Sequence, residues 1–165
     1  MLVLSTNLTM NTNPIVSIYT DGSSRGNPGK GGYGCILFFN DKYKELAGGF
    51  RLTTNNRMEL MAVIVGLEAL KVPCQVVVVS DSKYVVDAVE KKWLYNWIKT
   101  GFKGKKNEDL WKRYYTLSKN HIVQMQWVKG HNNHPHNERC DQLATLAADG
   151  TSLEIDFGYE AIKSI

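Results

Sequence analysis

Four acidic residues occupy places where an acid is awkward: Asp21, Glu59, Asp81 and Asp141. Asp21 and Asp81 each follow a short β-rich run, Ile15 to Thr20 and Gln75 to Val79. Open α/β sheets place their ligands at the carboxyl ends of strands, so the two carboxylates converge if those runs are parallel neighbours. Glu59 sits in the first turns of a predicted helix whose stretch Leu60 to Leu67 is apolar on nearly every face. Such a helix is largely buried, and a carboxylate carried inward without a partner is costly. Asp141 stands beside Cys140 and Leu143, in the first turn of the last predicted helix. Singly, each acid has an ordinary reading: a turn acid, two helix-start acids, and a capping box of Glu59 with Asn56. Together they repel one another unless cations compensate. Hard oxygen ligands without a paired Cys or His suit Mg²⁺ or Mn²⁺. Two divalent ions would balance four carboxylates, and such a pair, about 3.5–4 Å apart, is the clamp used for in-line phosphodiester chemistry. The residues therefore point to metal-assisted phosphoryl hydrolysis.

The elements that must position them follow from pattern. Strands are predicted at Ile15–Thr20, Tyr33–Phe39 and about Lys44–Leu52, the first two separated by a glycine-dense turn from Gly22 to Gly32. Thr53, Thr54 and Asn55 are N-cap candidates for a helix that Pro73 stops. The continuous apolar run Gln75–Val79 fits a strand buried on both faces in a parallel arrangement. Ser80-Asp81-Ser82 opens a helix to about Glu90, a short aromatic helix spans Trp93–Lys99, and a Gly/Lys turn runs from Gly101 to Asn107. Asn107 is expected to cap the next helix, with Glu108 and Asp109 in its first turn. His121–Val128 alternates as a strand, and a loop with His131, His134 and His136 leads to Asn137 and a final helix ended by Gly150. The expected class is α/β: a five-stranded mixed sheet, three antiparallel strands then two parallel, flanked by helices. Residues 1–14 read as a flexible N-terminal tail, 15–150 as one catalytic domain, and 151–165 as a weakly patterned C-terminal tail.

Composition narrows the setting. The chain has 165 residues, 43% hydrophobic and 22% charged, which suits one globular core and excludes disordered and collagenous classes. No window approaches the ~18 apolar residues of a membrane helix, and the first basic side chain is Arg25, so the N-terminal stretch reads as lacking the basic region of a leader. Three scattered cysteines, Cys35, Cys74 and Cys140, fit neither a disulfide framework nor a zinc spacing and read as reduced thiols of a cytoplasmic protein. The net charge is +4, yet Lys91, Lys92, Lys99, Lys103, Lys105 and Lys106 supply six positives with no acid between them. The remainder sums to −2 (4 − 6), so the basic character is one local stretch suited to an anionic partner.

Four segments carry a resemblance that covers about Ile15 to Gly150: YTDGSSRGNPGKGGYG around Asp21, TTNNRMELMA around Glu59, VSDSKYV around Asp81, and WVKGHNNHPHNERCDQLA around His131 and Asp141. In that order they resemble the type 1 ribonucleases H of bacteria, with the ribonuclease H-like fold. The resemblance implies hydrolysis of the RNA strand of RNA–DNA hybrid duplexes, with 3′-hydroxyl and 5′-phosphate ends, by a monomer using two Mg²⁺ ions, Mn²⁺ being a substitute. It implies that Asp21, Glu59, Asp81 and Asp141 hold the ions, one activating water and the other stabilising the leaving 3′ oxygen. His131 matches a mobile histidine that assists proton transfer or product departure, a role its ordinary pKa near 6.5 suits.

Asn27 and Asn56 match residues that meet the RNA strand across the minor groove, where a 2′-hydroxyl both donates and accepts. Thr54, Asn55 and Asn96 match a pocket for a DNA-strand phosphate, a contact that sets register without reading sequence. Little base specificity is expected. Trp93 and Trp97, four apart on one helix face, with Lys99, Lys103, Lys105 and Lys106, fit the family's substrate-binding handle. Three departures stand out: a short Gly101–Asn107 connection, Lys83 where a neutral amide is familiar, and His136 where an acid is common. Two other readings remain open on sequence alone, a nuclease or strand-transferase acting on DNA and a hybrid-binding module that does not cut.

Overall fold

A computed structural model describes residues 12–163. Most of the expected N-terminal tail therefore lies outside the described residues. β1 (Ile15–Arg25), β2 (Gly29–Phe39) and β3 (Lys42–Thr53) form an antiparallel meander. After α1 (Asn55–Glu68), β4 (Gln75–Ser80) pairs parallel with β1. Then come α2 (Lys83–Glu90), α3 (Trp93–Lys99), α4 (Glu108–Ser118) and β5 (Ile122–Trp127), which pairs parallel with β4. α5 (Pro135–Asp149), β6 (Leu153–Glu154) and α6 (Phe157–Lys163) complete the chain. The sheet order is β5-β4-β1-β2-β3-β6.

The mixed α/β class is as expected, with a sixth strand added. Leu153 and Glu154 pair parallel with Gly49 and Phe50 on the edge of β3, and α6 follows, so residues expected as a tail carry structure. Two residues are too short to show a strand pattern; the pairing comes from the waiting edge. The anchor is Arg57 of α1, only 1% exposed. Its Nε and Nη2 donate to the two oxygens of Asp156, each at 2.8 Å, and its Nη1 and Nη2 donate to Asp109 at 2.8 and 2.7 Å. Thr53 Oγ1 adds a 2.7 Å bond to Asp156.

The glycine-dense segment is the second difference. Only Gly26 to Pro28 form the turn, while Gly22–Arg25 and Gly29–Gly32 are paired strand. The glycines serve packing rather than a loop. A Cβ at Gly32 would overlap the Ala144 carbonyl oxygen, and one at Gly34 that of Cys140, so both let α5 lie directly on β2. Gly31 faces the other way, toward Met58 of α1. Alternation along the strand thus puts α1 and α5 on opposite faces of the sheet.

α1 is buried along most of its length, as its apolar run requires, lying between the sheet and α4. Its N-cap is Thr54, whose hydroxyl accepts from the Arg57 N–H, so Asn56 and Glu59 make no capping box. Asn107 precedes α4 but does not cap it with its side chain; its backbone is left-handed, φ 66°. Its amide instead donates to the Tyr84 hydroxyl at 3.0 Å and accepts from Arg57 Nη1 at 3.3 Å. α5 starts two residues earlier than expected, at Pro135 after His134, which moves Asp141 beyond the first turn.

Candidate active site

β1 and β4 run side by side with Thr20 opposite Ser80. Asp21 comes next within β1, which runs past the expected end at Thr20 to Arg25 because it stays paired with β2, and Asp81 comes just after β4, so the two acids become neighbours as the parallel pairing demands. Glu59 arrives from α1, and Gly22 permits it. A Cβ at Gly22 would collide with the backbone of Met58 and Glu59, so the strand and the helix come this close because position 22 has no side chain. One carboxylate oxygen from each of Asp21, Glu59 and Asp81 lies within 4.8 Å of the others. Asp141, half-buried on α5, lies outside that trio, but its charge acts on both Asp21 and Asp81.

The trio is electrostatically uncomfortable. Asp21 and Glu59 are each only 5% exposed. Burial pushes Asp21 up to about 7, helped by the charges of Asp81 and Asp141 and opposed by hydrogen bonds with Glu59 and the Gly22 N–H. Burial, then the Asp21 charge, raises Glu59 well above the ordinary carboxylate range. Burial also raises Asp81, although the nearby His131 works against it. Glu59 Oε2 is buried with no hydrogen-bond partner among the described residues. A buried acceptor without a donor calls for a proton or a cation. The all-carboxylate donor set fits hard divalent ions, and cation binding here must displace protons.

His131 is exposed, with φ 52°, on the loop after β5. That loop passes close to Asp81, since a Cβ at Gly130 would lie 2.6 Å from Asp81 Oδ2. His136 is held elsewhere, its ring centroid 4.8 Å from that of Tyr19 and 4.6 Å from that of Phe38. Trp127 carries no local signal of a role in the sequence. Its Nε1 donates to the Asp81 carbonyl at 3.0 Å, and Lys83 Nζ sits 4.8 Å above its ring. Lys83 is thereby drawn onto the indole beside the carboxylates.

Most residues expected to meet nucleic acid gather around two adjoining hollows. The larger, about 800 Å³, is lined by Asn27, Thr54, Asn56, Lys105, Lys106 and Asn107 together with part of α6. The smaller, about 330 Å³, adds Trp93 and Trp97 to Asn56, Lys105, Lys106 and Asn107. Asn27 Oδ1 accepts from the Asn55 N–H at 3.1 Å, tying the β1–β2 turn to the start of α1. Trp97 is half core, edge-on to the fully buried Trp111 at 5.8 Å, whereas Trp93 is exposed. Phe102 is 4% exposed and roots the basic loop in the core. Lys99 and Lys103 are exposed and line neither hollow.

Asn96 is also exposed on α3 and lines neither hollow. Asn107, which the sequence reads as a helix cap, lines the larger hollow with Thr54. Its one local signal is position, directly after the lysine run and before Glu108-Asp109.

Comparison with known proteins agrees with this arrangement. The family model described as RNase H matches residues 13–149. The ribonuclease H of Lachnoclostridium phytofermentans is 57% identical over 152 residues, covering 86% of this chain and 96% of that protein. That of Rippkaea orientalis is 52% identical over 157 residues, covering 92% and 96%. Among solved structures, LC9-RNase H1, a type 1 RNase H with the type 2 active-site motif, superposes with a TM-score of 0.76 at 30% identity, covering 93% of this chain and 82% of that one. LC11-RNase H1 in complex with an RNA/DNA hybrid gives 0.63 at 25%, covering 81% and 96%. The chain belongs to the ribonuclease H family, nucleases that cleave RNA in RNA–DNA hybrids.

Proposed function

We propose that the protein is an endonuclease that hydrolyses the RNA strand of RNA–DNA hybrids with two divalent ions, leaving 3′-hydroxyl and 5′-phosphate ends. The observation that carries this reading is the trio Asp21, Glu59 and Asp81, two of them buried, brought together from β1, α1 and the end of β4 with the Glu59 Oε2 acceptor unpartnered among the described residues. Those residues, with Asp141, would hold Mg²⁺, or Mn²⁺ in its place. When bound, the ions supply a lowered pKa for the attacking water and charge stabilisation at the leaving oxygen. Asp21 and Glu59 are the buried members of that set, and Asp81 and Asp141 the half-buried ones.

The other residues take roles that suit their positions. His131, exposed on a loop beside Asp81, carries protons to or from the site. Asn27 and Asn56 hydrogen-bond RNA 2′-hydroxyls. Thr54 and Asn55 hold a DNA-strand phosphate with Asn107, which lines the same hollow as Thr54, supplying the amide expected of Asn96. Trp93, Trp97, Lys99, Lys103, Lys105 and Lys106 form a basic, aromatic surface for the backbone. These contacts are to sugar and phosphate, so sequence specificity is low. The enzyme acts as a cytoplasmic monomer; among the described residues no helix is long and apolar enough to cross a membrane.

A strand-labelled RNA–DNA hybrid incubated with Mg²⁺, beside single-stranded RNA, duplex RNA and duplex DNA, tests the reading. Cutting confined to the hybrid's RNA strand is expected, lost with a chelator and in Asp21→Asn. Cleavage of DNA would assign another nuclease, and binding without cutting would assign a hybrid-binding module.

A further inference from the structure

The larger hollow beside the start of α1 has a wall to which the nuclease reading gives no role. Its lining divides by chemistry: Thr54, Asn107, Lys105 and Lys106 offer hydroxyl, amide and cationic donors, while α6 brings Gly158, Tyr159 and Ile162. Gly158 and Ile162, four apart, share one helix face, and Ile162 is 65% exposed. The residues around that face hold α6 in place. Glu160 pairs with Arg51 of β3 at 3.0 Å, and Asp156, just before the helix, is bound by Arg57. A Cβ at Gly158 would overlap Asp109 Oδ2, so α6 rests directly on the start of α4. The same Arg57 donates to Asn107 Oδ1, which fixes the apolar wall and the amide in one frame.

Charge orients what enters. Glu108 and Asp109 also line the hollow, and each already has a cation, Lys112 at 2.8 Å and Arg57 at 2.7 Å. Among the described residues, α4 and α6 bring no cation to this lining. A phosphate is therefore drawn to the lysines and amides, away from the two carboxylates, and the uncharged sugar attached to it suits α6. The hollow, about 800 Å³, has room for such a unit. We propose that α6 reads the DNA strand by its sugar, Ile162 packing on the deoxyribose next to the phosphate held by Thr54 and Asn107. This role rests on the hybrid-nuclease reading above and adds to it a residue that selects the strand. A ribose at that place would set its 2′-hydroxyl against an aliphatic side chain that offers no partner, and a desolvated hydroxyl weakens binding. Duplex RNA carries that hydroxyl in every register.

The test is a hybrid whose DNA strand contains one ribonucleotide, moved a position at a time, with cuts mapped on the labelled RNA strand. For wild type, a ribonucleotide at one fixed offset from the cut should suppress cleavage about tenfold. In Ile162→Ser, whose hydroxyl can meet the added one, the suppression should shrink to about threefold or less, and Ile162→Val should retain it. Opposite an unmodified DNA strand, Ile162→Ser should raise KM about threefold with kcat and melting temperature unchanged. Its salt slope should match wild type, because no phosphate contact is lost. The proposal is overturned if no position suppresses cleavage in wild type, if Ile162→Ser keeps the full suppression, or if that variant's whole effect follows a lowered melting temperature. Wild type on the unmodified hybrid separates the two readings. No cutting there overturns the nuclease reading and this one with it, whereas cutting without discrimination at Ile162 overturns this one alone.

Discussion

Replacing Asp21 with Asn is expected to stabilise the metal-free protein while abolishing cleavage. The carboxyl of Asp21 stands at about 7 in the fold against an ordinary 3.8, with burial the largest cause. A carboxyl raised by folding binds more protons in the native state than in the unfolded one. Its favourable contribution is therefore complete below 3.8 and is lost as pH rises through about 7. Roughly three pKa units correspond to about 4 kcal/mol, at 1.36 kcal/mol per unit, withdrawn from the wild type by pH 8. An Asn removes that penalty and keeps the local bonds: its carbonyl can accept from the Gly22 N–H, as Asp21 Oδ1 does at 2.9 Å, and its amide can donate toward Glu59. Urea unfolding in a chelating buffer should show wild type and Asp21→Asn nearly equal at pH 4. At pH 8 the variant should be more stable by about 2–4 kcal/mol, some of the gain being spent on burying the amide. Mg²⁺ should narrow the difference, because it binds the native carboxylates of the wild type more strongly. Parallel stability curves for the two proteins between pH 4 and pH 8 would refute the reasoning, since they would mean that Asp21 ionises in the fold as easily as in the unfolded chain.

Changing Lys103, Lys105 and Lys106 together to Ala should weaken hybrid binding and lower the salt slope by up to about three, read from affinities across a salt series. Asp156→Ala leaves the buried Arg57 guanidinium with Asp109 as its one carboxylate partner, beside Asn107; a loss of about 3–5 kcal/mol is expected by denaturant melting, far more than a loose tail would give. Trp127→Phe removes the Nε1 bond to the Asp81 carbonyl while keeping a ring, so kcat should fall between about twofold and tenfold, the worth of one hydrogen bond, with KM little changed.

Local chemistry in the sequence was enough to determine the strands and helices that carry the site, because apolar alternation, the continuous Gln75–Val79 run and the all-round apolar face after Glu59 are short-range patterns. It also placed Asp21 and Asp81 directly after the two runs that pair in parallel, although β1 continues past Asp21 to Arg25 along β2. Their convergence needed only parallel neighbours, which β1 and β4 are. The tertiary structure alone decided the rest. Glu59 joins the two aspartates because Gly22 lets a helix backbone touch a strand. Asn107, not Asn96, shares a hollow with Thr54 because Tyr84 and Arg57 hold its amide from two other helices. The weakly patterned end of the chain becomes β6 and α6 because Asp156 meets an arginine ninety-nine residues earlier. Contacts of that separation leave no period in the sequence: they are chosen by which edges, buried charges and backbone gaps the assembled core presents.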